Sequence, residues 1–201
     1  MKFIFSLFLL SVVLFATTTE ALNAYKNHNY TEAFKLYKEA ALQGDIEAEN
    51  ALSYLYFKGV GVKQDPKKGL YWLQKAVNSG DSRASFDLAM FYLKGEHLKK
   101  DMKQAAHYMQ IASKKGNVDA TYNLALMYYR GEGVKQDIKK AAALLEIAAK
   151  KGHRGAKANV GRVYMQLLNF KKAKYWLGEN LKDGDVEAAK LLQEIKATHK
   201  E

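Results

Sequence analysis

The sequence predicts an all-α fold built from tandem pairs of antiparallel helices, and three observations lead to it. Similar stretches of chain begin at glycines spaced 36 residues apart, at positions 44, 80, 116 and 152, which indicates a repeat array. Within each stretch, apolar residues recur at spacings of three and four, the period of a helix with one buried face. A single proline and few β-branched runs argue against a sandwich or barrel of short strands.

Composition limits the possible classes of function. The chain has 201 residues, of which 48% are hydrophobic, so it can bury a core and is unlike a disordered protein. It contains no cysteine, which excludes structural disulfides, thiolate zinc sites and cysteine nucleophiles. Its formal net charge of +11 favours anionic partners.

Residues 1–21 are typical of a secretory signal peptide. Lys2 precedes an uncharged and strongly apolar stretch at residues 3–16, which matches the charged start and apolar centre of such signals. The stretch is shorter than the roughly 20 residues that span a bilayer, so permanent anchoring is the weaker alternative. Small residues follow it, and we expect cleavage after Thr18 or after Ala21. The sequence therefore predicts an exported protein, periplasmic or secreted.

The remaining chain, residues 22–201, is predicted to form one solenoid domain. It divides into a leading half repeat, three full repeats, a shorter fourth repeat and a capping helix, at 22–43; 44–79, 80–115 and 116–151; 152–183; and 184–201. Three columns of the repeat are occupied by alanine, by leucine or valine, and by tyrosine: Ala48, Ala84, Ala120, Ala156 and Ala188; Leu52, Leu88, Leu124 and Val160; Tyr56, Tyr92, Tyr128 and Tyr164.

Each full repeat contains two helices joined by a loop. In the repeat at 44–79, Asp45 follows the leading glycine. Glycine tolerates the left-handed backbone that ends one helix, and aspartate caps the next. A loop with Gly59 and Gly61 leads to Asp65 and Pro66, which are a capping residue and a favoured first residue for the second helix.

The repeated pattern A-x-x-x-L-[small]-x-x-Y-x-x-G-x-G-V-x-x-D, followed by K-[GA]-x-x-W, resembles the Sel1-like repeat family, a relative of the tetratricopeptide repeat. The resemblance covers residues 30–201 and implies a right-handed superhelical solenoid of antiparallel helix pairs. It also implies a role in holding other proteins, often in export, envelope signalling or host contact. The fourth repeat lacks the G-x-G-V-x-x-D loop, and four other positions depart from the family pattern: Ser53, His97, Gly69 and Leu144.

The sequence favours a protein without catalytic activity. The patterns H-E-x-x-H, G-x-S-x-G and G-x-x-x-x-G-K do not occur in it. His97, Asp101 and His107 lie near one loop and would suit a metal ion, but surface loop histidines are the simpler interpretation. Some cysteine-rich secreted relatives are linked to β-lactam binding, and their cysteine pairs are absent here. A cell-wall or β-lactam hydrolase is therefore the alternative function, and we predict no catalytic residue, metal or cofactor.

The predicted partner-binding surface lies on the first helices, which line the concave side if the tetratricopeptide geometry applies. The candidate residues are Tyr54, Phe57, Phe86, Met90, Lys94, Tyr122, Leu126, Tyr129, Arg130 and Arg162. Aromatic and methionine anchors beside lysine and arginine suit a protein or peptide, with an acidic one favoured. Packing against the neighbouring repeat is the alternative for each residue. Phe86 and Tyr122 are preferred because Asn50 and Ala158 share their column, and a column of varying size argues against a fixed packing role.

Pairs of lysines recur mostly around the second helices, for example Lys67-Lys68, Lys139-Lys140 and Lys171-Lys172. A solvated outer face explains them most simply, and peripheral contact with an anionic membrane is the alternative. Nucleic acid is not expected as a partner. Taken together, these patterns predict an exported, monomeric and non-enzymatic interaction scaffold. It would serve either as an adaptor in the envelope or host contact, or as an immunity-type protein that neutralises an effector.

Overall fold

The computed structural model describes residues 17–198, and every regular element in that range is an α-helix. Most of the predicted signal peptide, residues 1–16, therefore lies outside the described residues. Residues 17–26 form α1. The other helices are α2 (Tyr30–Leu42), α3 (Ile46–Lys58), α4 (Pro66–Ser79), α5 (Ser82–Lys94), α6 (Met102–Lys114), α7 (Val118–Arg130), α8 (Ile138–Lys150), α9 (Arg154–Gln166), α10 (Phe170–Lys182) and α11 (Val186–Thr198).

The helices confirm the predicted repeat. The first helices α3, α5, α7 and α9 have 13 residues each and begin 36 residues apart. The predicted caps are confirmed as well, since Asp45 accepts a hydrogen bond from the Ala48 backbone N–H at 2.7 Å. Asp65 accepts one from the Lys68 N–H at 3.0 Å, with Pro66 at the start of α4. These local signals fix where each helix begins.

Contacts divide the chain into two compact units. The N-terminal unit contains the described residues up to Phe91 together with Gly95–Lys99, and the C-terminal unit contains Tyr92–Lys94 and the residues from Lys100 onward. In the N-terminal unit, buried side chains of α2, α3 and α4 form one core that includes Tyr37, Leu52, Leu55, Tyr56 and Trp72. In the C-terminal unit, consecutive helices from α6 to α11 pack on one another. Their core includes Leu145, Val160, Tyr164, Trp176 and Leu177. The single continuous domain at 22–201 stays a prediction.

Two loop glycines lie against the start of another helix. A Cβ atom on Gly61 would stand 2.0 Å from the carbonyl oxygen of Tyr30, and one on Gly133 would stand 1.9 Å from that of Met102. Both glycines also have positive φ angles of about 70°, which disfavour residues with a Cβ atom. In the repeats at 44–79 and 116–151, the second glycine of the G-x-G loop is therefore needed for close approach as well as for backbone conformation.

His97 replaces the second glycine of that loop in the repeat at 80–115. It nevertheless adopts the left-handed conformation, with φ 59°. Its ring stacks on Phe57 at a centroid distance of 4.6 Å and meets the edge of Phe91 at 5.0 Å. These aromatic contacts hold the strained backbone in place.

Helix α1 packs on the N-terminal unit. Ala21 has no solvent exposure, and it belongs to the same core as α2 and α3. Cleavage after Ala21 would remove the first half of the described part of α1, whereas cleavage after Thr18 would leave Ala21 in place. In the described range, every helix is too short or too polar to cross a membrane.

Candidate protein-binding surface

The structure places nine of the ten predicted binding residues at least partly on the surface. Tyr54 is 47% exposed, and Lys94 and Arg130 are exposed as well. Six others are partly exposed: Phe86, Met90, Tyr122, Leu126, Tyr129 and Arg162. In each unit, we call the exposed surface of the first helices that carry these residues the first-helix face: α3 and most of α5 in the N-terminal unit, α7 and α9 in the C-terminal unit.

Phe57 is the exception, and its predicted role in the binding surface does not fit its position. Its side chain is buried. Its ring lies between Phe91, at a centroid distance of 4.9 Å, and the stacked ring of His97. Gly69 makes room for it, because a Cβ atom at that position would be 2.9 Å from the Phe57 ring. Two departures from the family pattern, Gly69 and His97, thus accommodate one large side chain inside the N-terminal unit.

Tyr122, one of the two preferred candidates, is committed to packing between repeats. Its ring stacks on His153 at a centroid distance of 4.2 Å, and its hydroxyl accepts a hydrogen bond from Asn159 at 3.3 Å. Gly155 leaves space for it, since a Cβ atom there would be 3.2 Å from the tyrosine oxygen. Tyr122 therefore joins α7 to α9 and offers only part of its surface to a partner.

Two of the predicted cations have partners within the chain. Arg162 contacts Asp185 at 3.2 Å and also donates a hydrogen bond to the carbonyl of Ala158. Arg130 lies 3.9 Å from Glu132. Both pairs are partly exposed, so each contributes little to stability. They do, however, reduce the positive charge that this face offers to an acidic partner.

The first-helix face of the N-terminal unit contains a cavity of about 500 Å³. Aromatic side chains from α1 and α3, Tyr25 and Tyr54, form part of its wall. Three carboxylates also line it, Glu47, Asp81 and Asp87, and they stand beside a single cation: Arg83. The cavity therefore combines aromatic surface with an excess of negative charge.

The cavity exists because one column of the repeat holds a small residue here. Asn50 lines the cavity and donates a hydrogen bond to Asp81 at 3.3 Å. Tyr122 occupies the same column in the repeat at 116–151, where its ring fills the corresponding space against His153. The small residue in this column, Asn50, thus leaves an open site in the N-terminal unit, while the roles of Phe86 and Tyr122 as anchors stay a prediction.

The polar groups of the cavity are held in place by local contacts. Arg83 Nε lies 3.5 Å from Asp87 Oδ2, and Asp81 caps α5 by accepting a hydrogen bond from the Ala84 backbone N–H. Burial raises the pKa of Asp87, and the nearby Arg83 offsets this only in part. A hydrogen bond with Tyr54 raises the pKa of Tyr25, and burial adds to the effect. Asp87 thus carries its charge in a place where water stabilises it poorly.

A second cavity of about 610 Å³ lies in the C-terminal unit, between α9, α10 and the start of α11. Three of its four charged residues, Lys157, Asp183 and Asp185, form ion pairs. Lys157 contacts Asp183 at 2.5 Å, and Asp185 contacts Arg162. Asn180 donates a hydrogen bond to the Ala158 carbonyl at 3.4 Å. These contacts join α9 to the neighbouring elements and give most of the polar lining a structural role.

The residues weighed for a metal site have other roles in the structure. His97 packs on aromatic rings, as described above, and Asp101 caps α6 by accepting hydrogen bonds from the N–H groups of Lys103 and Gln104 at 2.9 and 3.0 Å. His107 lies against the ring of Tyr108, with centroids 5.1 Å apart. Among residues 17–198, no group of three or more histidines or carboxylates is placed to hold a metal ion.

One buried ion pair was not predicted from the sequence. Glu49 is 1% exposed, and its carboxylate lies 3.1 Å from Lys75 Nζ. Lys75 also donates a hydrogen bond to the Ala41 carbonyl at 3.1 Å and lies 4.8 Å from the centre of the Trp72 ring. The only signal in the sequence is an acidic residue in a buried column that holds Ser85 in the next repeat. The pair joins α3 to α4, with the carboxylate buried and the Lys75 side chain 36% exposed.

The lysine pairs of the second helices have a structural contribution. One lysine of a pair lies over the ring of a repeat tyrosine in three places: Lys68 over Tyr56 at 5.6 Å, Lys140 over Tyr128 at 4.2 Å and Lys172 over Tyr164 at 4.9 Å. Such contacts are favourable and recur with the repeat. These contacts give one lysine of each of the three pairs a packing role. Contact of the lysine pairs with an anionic membrane stays a prediction.

Glu146 lies at the centre of a charge cluster in the C-terminal unit. Lys150 and Lys172 donate to its two oxygens at 2.8 and 2.7 Å, and the hydroxyl of Tyr164 donates to it as well. Partial burial alone would raise the pKa of Glu146, but its hydrogen-bonding partners outweigh that effect and lower the pKa to about 2. The cluster joins α8, α9 and α10, so it stabilises the packing of these three helices.

We expect the Glu146→Gln variant to lose about 1–2 kcal/mol of unfolding free energy at pH 6, because charge-assisted hydrogen bonds are lost at a partly exposed site. The folded-state pKa of about 2 lies below the ordinary value of 4.5. The contribution of Glu146 is therefore complete above about pH 4.5 and is lost as the pH falls toward 2.

Urea unfolding of the wild type and of Glu146→Gln at pH 6 and pH 2.5 measures this effect. The stability difference between the two proteins should shrink at the lower pH. Glu132→Gln serves as the control, since its 3.9 Å pair with Arg130 is exposed and should be worth under about 0.5 kcal/mol. A difference for Glu146→Gln that is unchanged between the two pH values would contradict the assignment.

Comparison with known proteins identifies the repeat. The Sel1 repeat family matches residues 25–45, 46–81, 82–117 and 118–153. The period is the one found in the sequence, and the matches at 46–81, 82–117 and 118–153 each begin two residues later than the corresponding predicted full repeat. The predicted fourth repeat, which lacks the G-x-G-V-x-x-D loop, lies almost entirely beyond the last match. No curated protein matches the chain significantly.

The solved structures that are similar to this chain include two that share its repeat fold. A Sel1 repeat protein from Oxalobacter formigenes is 32% identical, with a TM-score of 0.66 over 83% of this chain and 70% of that one. The protein c5321, a protective antigen of uropathogenic Escherichia coli with an SLR fold, is 24% identical, with a TM-score of 0.78 over 90% of this chain. This chain spans only 41% of the length of c5321. The likeness to c5321 shows the shared fold.

Proposed function

We propose that this chain, which belongs to the Sel1 repeat family, is a non-enzymatic scaffold. It would bind a protein or peptide partner on its first-helix face. Repeats of this family commonly mediate interactions between proteins. Stacked helix pairs suit this role because each repeat buries surface against its neighbours and leaves one side of its helices for binding.

The exposure of Tyr54 is the observation that carries the proposal. It is 47% exposed on α3, at the edge of the cavity in the N-terminal unit. A tyrosine can supply a large contact area at low entropic cost, and such residues are enriched among the anchors of interfaces. Met90 occupies the same column one repeat later and is partly exposed. Packing within the N-terminal unit leaves part of the Tyr54 and Met90 side chains exposed, so both can contact a partner.

Export is part of the proposal and rests on the composition of residues 1–21. A signal peptide there would deliver the scaffold to the periplasm or the medium, where it would act as an adaptor in the envelope or host contact. An immunity-type role, in which the scaffold covers a toxic effector, uses the same face and the same chemistry. The identity of the bound protein would distinguish these two roles.

The Tyr54→Ala/Met90→Ala double variant tests the binding face. Immobilised wild-type protein should capture a defined partner from the periplasmic or secreted fraction of the producing cells, and the double variant should capture at least about tenfold less, as expected when interface anchors are removed. Circular dichroism should show unchanged helix content, because both side chains are at least partly exposed.

The matched control is Tyr71→Ala/Tyr175→Ala, which removes two exposed tyrosines from the second helices α4 and α10. These residues are 62% and 61% exposed, so the control removes a similar kind of surface from another side of the helix pairs. Capture should be unaffected in this variant. Equal capture by both double variants and the wild type would overturn the proposed face.

A further inference from the structure

The cavity of the N-terminal unit has a charge opposite to that of the whole protein. Glu47, Asp81 and Asp87 line it together with a single arginine, Arg83, on a chain whose formal net charge is +11. Carboxylates in a concave site with low-dielectric walls concentrate cations. An acidic partner, which the sequence predicts from lysine and arginine on the first helices, would be repelled here.

The aromatic wall of the cavity suits the same kind of ligand. Tyr25 and Tyr54 contribute rings beside the carboxylates, and a lysine or arginine packs favourably over the face of a tyrosine. The aliphatic stem of such a residue can lie along apolar surface while its charged end reaches an acid. Arg83 does not neutralise the negative charge of the three carboxylates, since its side chain is 74% exposed and its nearest approach to Asp87 is 3.5 Å.

We propose that this cavity binds a lysine or arginine side chain of the partner, with the charged end at Asp81 and Asp87 and the stem against Tyr25 and Tyr54. The inference rests on the proposed function and names the chemistry of the partner at one site. A volume of about 500 Å³ accommodates one long side chain and a short stretch of peptide, since ligand sites of roughly 300–1,000 Å³ are typical. Cleavage at either predicted site, after Thr18 or after Ala21, would keep all four of these residues in the chain.

Peptide titration tests the charge preference directly. The probe is a blocked ten-residue peptide of glycine, serine and leucine with one central arginine, and the matched peptides carry citrulline or glutamate at that position. Binding is followed by ¹H–¹⁵N NMR, which also locates the site. The arginine peptide should bind at least about tenfold more tightly than the citrulline peptide, as expected when a charge pair is lost. The glutamate peptide should bind most weakly, and the shifts should centre on Tyr54 and Asp87.

Two variants test the site in different ways, one by filling the cavity and the other by removing a charge. Asn50→Tyr copies the residue that fills this column in the repeat at 116–151 and should block the cavity. Asp87→Asn keeps the shape and should weaken the arginine peptide about five- to twentyfold, without a comparable loss for the citrulline peptide. Glu132→Gln removes an acid from the C-terminal unit and should change neither affinity. If Asn50→Tyr does not fold by circular dichroism, Asp87→Asn alone decides the result.

Equal affinities for the arginine and citrulline peptides would overturn the inference, and so would the absence of binding at millimolar peptide or an Asp87→Asn variant with unchanged preference. These outcomes are distinct from failure of the proposed function. Partner capture that depends on Tyr54 and Met90 but shows no preference for a cation would leave the binding face intact and remove only the charge assignment.

Discussion

Replacing Gly133 with alanine is expected to lower the free energy of unfolding by about 3 kcal/mol or more, because a backbone clash adds to left-handed strain. The new Cβ atom would lie 1.9 Å from the carbonyl oxygen of Met102, and a backbone atom cannot move aside as a flexible side chain can. The positive φ of 71° adds a smaller cost. Urea denaturation followed by circular dichroism measures the loss.

Gly152 offers a matched control for this variant. It lies in the same unit with a φ of 86°, and a Cβ atom there would meet nothing within 4 Å. Gly152→Ala should therefore cost only the left-handed penalty, roughly 1–2 kcal/mol. Equal losses for the two variants would show that the close approach of the loop to α6 is absent in solution.

Replacing Leu124 with alanine is expected to cost about 2–4 kcal/mol, since it removes a buried leucine from a packed core. Leu124 is 2% exposed on α7, in the leucine column of the repeat. Leu126, two residues further along the same helix, is partly exposed, and Leu126→Ala should cost under about 1 kcal/mol. Chemical denaturation of both variants checks the contrast. A cost below about 1 kcal/mol for Leu124→Ala would contradict its buried position.

Helices and their caps could be predicted from the sequence because their signals are local. The aspartates at 45 and 65 lie within three residues of the N–H groups that they cap, so spacing alone identifies them. The 36-residue period then places Leu124 in the core, because one face of each helix must be buried wherever the repeat is stacked. His153 at the start of α9 was missed as a cap, although its Nδ1 accepts a hydrogen bond from the Ala156 N–H at 3.0 Å.

The binding surface could be predicted only in outline, because it depends on contacts between helices that are distant in the sequence. Phe57 looks like an anchor in the repeat pattern, but the rings of Phe91 and His97 and the space left by Gly69 bury it. The column of Asn50 and Tyr122 shows the same limit. The sequence shows that residue size varies in this column. Whether a large residue there faces a partner or packs inside the fold depends on the first helix of the following repeat. The acidic cavity depends on the same packing between repeats, so the sequence alone did not predict it.

Site-specific photo-crosslinking tests the central claim most directly. A benzophenone amino acid is placed at position 54 on the first-helix face and, in a separate protein, at position 71 on α4. Both native tyrosines are exposed, at 47% and 62%, so the two probes reach solvent similarly. In the producing cells, the probe at position 54 should form one discrete adduct with a partner protein and the probe at position 71 none. Adducts at position 71 alone, or at neither position, would contradict a scaffold that binds through its first helices.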